Sequence, residues 1–286
     1  MMQLLNALVL CMVYVVLAGL AVGLVYHRTL SHRALRLSPW FERTLVTLGL
    51  PAGTPVQWAG NHRRHHANTD QEGDPHSPRH GFWHAHNGWY IGQTHWVPCL
   101  AYALAGPLRT LFDGWHRPRS NQESVHLAPD VAADPYYRFV SRPGPYLAFA
   151  VAHVAGFYGA AWALGGTAGL VMLLATQILV YNLGDAIDSA AHLVGDRPFA
   201  VTHLATNHPW IAFLTFGEGW HANHHSFPRS PRTDIFRGQV DVIWWEIRLL
   251  ALLGIASELQ KPPSATDVRA RLKDSVKDSP AHVPAR

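Results

Sequence analysis

The 286-residue chain has little charge, little cysteine and almost no lysine. Charged residues make up 15% of it, against roughly a quarter in soluble domains. No lysine or arginine lies between Met1 and His27, or between Pro143 and Asp196. Stretches of that length with no basic residue and almost no acid are incompatible with an ordinary solvated surface and fit membrane spans. The two cysteines, Cys11 and Cys99, match no zinc or iron–sulfur spacing and read as small apolar filler. No Gly-x-Gly-x-x-Gly nucleotide motif, no ferredoxin cysteines and no haem-binding His-Pro-Gly-Gly string occur, so any electrons the chain uses come from elsewhere. The net charge of +4 does not mark a nucleic-acid binder. The basic residues flank apolar segments, where anionic headgroups attract them.

Three spans are expected, at about 4–26, 145–164 and 168–187, with Gly165-Gly166-Thr167 as a tight turn between the last two. The first is read as a span and not a signal peptide, because it lacks a basic leading region and a small-x-small cleavage site. The positive-inside bias puts the arginine-rich segments in the cytoplasm and the N-terminus outside. Two weaker apolar segments are interrupted. Residues 45–59 contain Pro51, Gly53 and Pro55, and residues 97–112 contain Gly106-Pro107, so both are expected to lie at the interface or re-enter. Residues 244–256 read as an amphipathic surface helix, and 260–286 as a disordered cytoplasmic tail. The whole is a single membrane domain over 1–259. Its class is all-α, with multi-span helices and a cytoplasmic helical cap.

Histidine is what the chain has in excess. Three clusters stand out: His27-Arg-Thr-Leu-Ser-His32, His62-Arg-Arg-His65-His66 and His221-Ala-Asn-His224-His225, with His192 alone. In the second and third, the i, i+3, i+4 spacing sets three imidazoles on one helix face. Imidazole is the most common transition-metal ligand. Eight clustered histidines exceed what one tetrahedral ion can use and suit two. The expected topology puts every cluster on the cytoplasmic side, as one metal site requires.

These boxes, the string Thr69-Asp-Gln-Glu-Gly-Asp-Pro-His-Ser-Pro78, Gly81-Phe-Trp, Ser189-Ala-Ala-His192-Leu-Val-Gly195 and Gly217-Glu-Gly-Trp-His-Ala-Asn-His-His-Ser-Phe-Pro228 resemble the membrane fatty acyl desaturases of the stearoyl-CoA desaturase type, bacterial members above all. The resemblance runs from about Val25 to Leu259. It implies two iron ions with nine histidine ligands: His27, His32, His62, His66 and His224 on one, His65, His192, His221 and His225 on the other. It implies an oxygen-dependent removal of two hydrogens from adjacent methylenes of an acyl chain carried on CoA, a carrier protein or a lipid. It also implies a separate donor (ferredoxin, rubredoxin or cytochrome b5-like) with its reductase, and a bacterial cytoplasmic membrane.

The chain departs from the family pattern in places. Asp188 stands where the family has Asn, and is a candidate for holding a water or relaying a proton. Ala222 and His203-Leu-Ala-Thr206-Asn207 also depart, which loosens any inference about the headgroup. Arg63, Arg64, Arg79, Arg229 and Arg232 form a candidate donor-docking patch, His86 a candidate support for a ligand, and His153 a bonded polar group within the second span. Related outcomes on the same chemistry are hydroxylation, or formation of alkynes or terminal alkenes. A non-enzymatic membrane metal-binding protein and a haem electron carrier are rivals of another class. The first would need polar residues along the spans, and the second histidine pairs inside them.

Overall fold

The computed structural model describes residues 2–116 and 125–284. Helices dominate, and the one sheet among the described residues is an antiparallel pair with Arg36 opposite Ser257 and Leu37 opposite Ala256. The helix Met2–Gly19 turns Ala7, Cys11 and Tyr14 inward at i, i+4, i+7 spacing. Leu4, Leu5, Leu8, Val9, Met12, Val13 and Val16 stay exposed on its other side, as a lipid-facing surface would.

This helix does not end at Gly19 but widens into π-type turns over Leu20–Ser31. The His32 amide donates to the His27 carbonyl five residues back, at 3.1 Å. Thr29 and Ser31 hydroxyls likewise bond the carbonyls of Leu24 and Tyr26, each five residues back. In an α-helix, residues five apart point in different directions. In π-type turns they stack, and the His27 and His32 rings come within 5.0 Å.

The segment Pro143–Asp188 folds back on itself at Gly166, whose φ of 56° and ψ of −144° are open to glycine. Tyr158 donates to Gln177 at 3.0 Å, although a straight helix would hold residues so spaced roughly 28 Å apart. The arms are therefore antiparallel, and Ala161, Leu173, Phe157 and Val180 pack between them and Cys11 and Tyr14. Gly165 faces Ala7 so closely that an added Cβ would sit 2.8 Å from the alanine methyl. Met2–Ser31 and Pro143–His192 are long and apolar enough to cross a membrane.

The interrupted segments break where the prolines and glycines fall. Leu45–Ala59 is a helix end, a short turn at Leu50–Ala52 and a new helix, Pro55–Asn68, started by Pro55 behind the Thr54 cap. Trp96–Ala103 and Pro107–Trp115 are split at Gly106. The Val242–Leu252 helix buries Ile243, Ile247 and Leu250 against Leu24, Val25 and Tyr26, and leaves Trp245, Leu249 and Leu252 exposed.

The tail corrects the sequence expectation. Residues 260–284 are not a structureless appendage. Ser264 and Asp267 form a capping box that starts the helix Ala265–Arg271. Val268 and Leu272 then bury against Phe199, Ile235 and Phe236. The Lys273 amide bonds the Pro198 carbonyl, and the Ala200 amide that of Arg271. Two apolar residues at i, i+4 in a charged segment were enough to anchor it, because a matching hydrophobic pocket exists elsewhere in the chain.

Candidate metal centre

Four separate stretches deliver the nine histidines to one place. His27 and His32 come from the π-type turns, and His62, His65 and His66 from one face of Pro55–Asn68. His192 sits in a single turn after the hairpin, and His221, His224 and His225 on the short helix His221–Ser226. Ligand atoms of His27, His32, His62 and His224 lie within 4.8 Å of one another, as do those of His65, His192, His221 and His225. His66 stands between the two groups. Its Nε2 is 2.9 Å from His224 Nε2, and its ring stacks on His225 at 4.3 Å.

The rings meet through Nε2. These atoms are 3.0 Å apart in His27–His224, 2.8 Å in His32–His62, 2.9 Å in His192–His221 and 3.2 Å in His65–His225. Three carboxylates take the opposite side of a ring. Glu218 lies 2.5 Å from Nδ1 of His27, Asp74 2.9 Å from Nδ1 of His65, and Asp70 3.0 Å from Nδ1 of His192. Such an acceptor holds the ring proton on Nδ1 and leaves a bare lone pair on Nε2. A single proton could bridge one pair of facing nitrogens, whereas convergent lone pairs in fours are matched by a cation. The donor set therefore fits two metal ions, and its nitrogen-only character suits a transition metal over calcium or magnesium.

The electrostatics agree. Burial pushes His32, His62, His65, His66, His221, His224 and His225 well below the usual imidazole value, and neighbouring histidines push further, so all seven are neutral at neutral pH, as metal ligation would require. Burial alone would raise the Glu218 carboxyl, but His27 and Arg28 hold it at about 2. Burial opposes Asp70 too, yet the hydrogen bonds from His192 and the Leu204 amide keep it at about 2. Arg28, 2% exposed, ties box one to box three. It contacts both oxygens of Asp241 at 2.8 and 3.0 Å, Glu218 at 2.7 Å and the Pro231 carbonyl. Box three is held from behind by Asn223, whose amide group bonds Asn207, Thr233 and Gln239.

Neither Arg28 nor the three acids stood out in the sequence. Their signal was membership of the quoted strings: Arg28 lies in the first cluster, Asp70 and Asp74 in Thr69–Pro78, and Glu218 in Gly217–Pro228. Asp188 lies 3.9 Å from His76 Nδ1 and lines the cavities beside the metal centre, outside both histidine groups. His86 supports no metal-facing ring. It bonds Ser189 and Asn182 at 2.9 and 3.1 Å and so fixes the end of the hairpin. His153 is not the bonded polar group expected. Its Nε2 has no partner among the described residues, and the ring packs on Tyr14 and Phe157. The arginine patch is partly neutralised, with Arg63 on Asp130 at 2.6 Å and Arg232 on Asp234 at 2.7 Å.

A cavity of about 210 Å³ leads from His27, His62 and His221 down between the first helix and the hairpin to Tyr14, His153 and Phe157. Val15, Leu17, Val22, Val180 and Ile187 line its length, and the Trp58 ring, stacked on His62 at 4.9 Å, forms part of its upper wall.

The family model described as fatty acid desaturase matches residues 5–252. The chain is 32% identical over 252 residues to the sn-1 stearoyl-lipid 9-desaturase of Anabaena variabilis, covering 87% of this chain and 82% of that protein. It is 32% identical over 256 residues to the sn-2 palmitoyl-lipid 9-desaturase of Nostoc sp. (strain 36), covering 86% and 77%. To the acyl-CoA C20 Delta5-desaturase of Anemone leveillei it is 34% identical over 253 residues, covering 87% and 72%.

Proposed function

The chain belongs to the fatty acid desaturase family and is an acyl desaturase, and from that premise we propose that it works with two histidine-held iron ions, molecular oxygen and two electrons from a separate donor. The observation that carries this reading is the convergence of nine imidazoles into two facing groups. His27, His32, His62, His66 and His224 would hold one iron, and His65, His192, His221 and His225 the other. When bound, the iron pair supplies oxygen reduction and the removal of two hydrogens from neighbouring acyl carbons.

The chain's own residues do the rest. Glu218, Asp74 and Asp70 keep the protons of three rings on Nδ1, so that Nε2 stays free for metal. The cavity walls grip an acyl chain by burial and fix which of its methylenes lies under His27, His62 and His221. Their apolar side chains also keep bulk water from the reacting carbons. Asp188, at the cavity wall, holds a water or passes a proton toward the centre. The electron donor is a ferredoxin, a rubredoxin or a cytochrome b5-like protein with its reductase. The enzyme crosses a bacterial cytoplasmic membrane several times, with the metal centre on the cytoplasmic side. The exposed apolar face of the first helix and the apolar hairpin, which holds no lysine or arginine, support that placement.

The test is expression with a compatible donor, followed by mass spectrometry of acyl chains and metal analysis of the purified protein. New monounsaturated chains with about two irons and no haem absorption are expected, and His225→Ala should abolish both. Hydroxylated or acetylenic chains would move the chemistry to a sister reaction. Zinc-only protein without oxygen-dependent product would end the reading.

A further inference from the structure

A tenth imidazole stands at the edge of the metal centre. His203, in the loop between His192 and the third cluster, packs its ring on that of His225 at 5.0 Å. The loop is anchored there, because the next residue, Leu204, donates its amide to Asp70 at 2.7 Å. The same Asp70 oxygen accepts Nδ1 of His192 at 3.0 Å. His203 is thus held beside the His65, His192, His221 and His225 group by a ring contact to one member and by a loop tied to the carboxylate behind another. By the assignment above, this group brings four imidazoles to its ion, against five for the other.

Packing by itself does not require an imidazole here, since a phenyl ring would lie on His225 as well. Both nitrogens of His203 are covered, and neither has a hydrogen-bond partner among the described residues. A buried polar atom left in that state costs about 1–3 kcal/mol. Whichever nitrogen of a neutral imidazole carries the proton, the other keeps a bare lone pair, and a lone pair so placed can bind a transition metal. Position decides what kind of ligand it is. His203 is not among the four residues whose ligand atoms lie within 4.8 Å of one another, so it is no member of the converged set. Of those four, His65, His192 and His221 are 2% exposed or less, and His225 is half-buried. An ion reaching this group from outside therefore arrives along the His225 edge, where His203 lies. Resting on the two-iron reading above, we infer that His203 is a transfer ligand for the second metal position: it takes up the incoming divalent transition metal and passes it to His225 and the three rings behind. Only ligands are exchanged. Each nitrogen–metal bond that forms displaces a water or the preceding imidazole, and no electron has to be supplied. A ligand used in passage and not at rest speeds arrival and departure alike, and leaves affinity unaltered.

The test follows metal exchange in the full-length enzyme in nanodiscs. Holoenzyme is stripped with a chelator and reloaded with Co(II), whose absorbance reports the filling of each position. In His203→Phe, which keeps a ring on His225, loss from one position and its refilling should both slow by about tenfold or more. The affinity of both positions should stay within about twofold of wild type, and the other position should exchange at the wild-type rate. His203→Cys, which substitutes another metal-binding group, should refill within about threefold of wild type and show a thiolate-to-cobalt absorption that rises and decays during filling. Wild-type exchange rates in His203→Phe would overturn the inference, as would a fall in affinity at an unchanged filling rate, which marks a resident ligand. Should the phenylalanine variant not fold, slow filling without the transient thiolate absorption in His203→Cys overturns it equally. Wild-type protein that takes up fewer than two equivalents of Co(II) would count against the two-metal reading itself, which separates the two failures.

Discussion

Asp70→Asn probes the metal centre without touching a ligand. Asp70 lies in the left-handed region at φ 57°, which Asn tolerates well, so the backbone is kept. Its Oδ2 accepts both the His192 Nδ1 proton, at 3.0 Å, and the Leu204 amide, at 2.7 Å. An Asn oxygen in that place preserves both hydrogen bonds. The amide nitrogen then falls where Oδ1 now lies buried without a partner among the described residues. An unsatisfied buried donor costs about 1–3 kcal/mol of folding stability. The negative charge that makes His192 a stronger ligand is also lost. Changes of this kind behind a metal-bound histidine cost about 10–100-fold in metal affinity, or about 1.4–2.7 kcal/mol. The loss should fall on one position. Asp70 and Asp74 both stand behind the His65, His192, His221 and His225 group, whereas Glu218 stands behind His27 in the other. Metal-free protein titrated with Co(II) against a chelator reads both positions by absorbance and stoichiometry. In Asp70→Asn one equivalent should weaken and the other hold, and Glu218→Gln should weaken the opposite one. Two equivalents of unaltered affinity in Asp70→Asn would refute the reasoning.

Arg28→Met leaves Glu218 and Asp241 buried without their cation and should cost about 3–5 kcal/mol, read as a large fall in Tm; also neutralising the two acids should recover part of it. Seven site histidines sit below the ordinary value of 6.5, so below pH 6.5 the unfolded chain takes up protons that the folded metal-free chain refuses. Stability of the metal-free protein should therefore be full above that pH and fall as pH drops through it, by up to about 1.4 kcal/mol per pH unit for each histidine. Thermal unfolding from pH 8 to 5 checks this, and a flat profile would contradict it. Gly165→Val drives a side chain into Ala7 and should destabilise the packing of the first helix on the hairpin by about 1–3 kcal/mol, seen in detergent unfolding. Truncation after Gln260 strips Val268 and Leu272 from Phe199 and Phe236, and should lower Tm and open the 199–236 region to protease.

The histidine clusters and the long apolar helices were legible because both are local patterns. Long apolar runs without a basic residue mark helices suited to a membrane, and i, i+3, i+4 histidines mark a helix face whatever lies opposite. The hairpin needed only Gly165-Gly166 between two apolar runs. The sequence could not say which acid stands behind which ring, because Asp70 meets His192, Glu218 meets His27 and Arg28 meets Asp241 across long stretches of chain. Nor could it show the π-type widening that brings His27 beside His32, since α-helical spacing sets residues five apart on different faces. The packed tail was hidden for a similar reason: Val268 and Leu272 are too few to signal a core until Phe199 and Phe236 supply the other half. Patterning along the chain marked which histidines cluster. Contacts between distant segments decided how those groups are oriented, charged and connected to the cavity, because hydrogen bonds and burial depend on distance in space and not on distance in sequence.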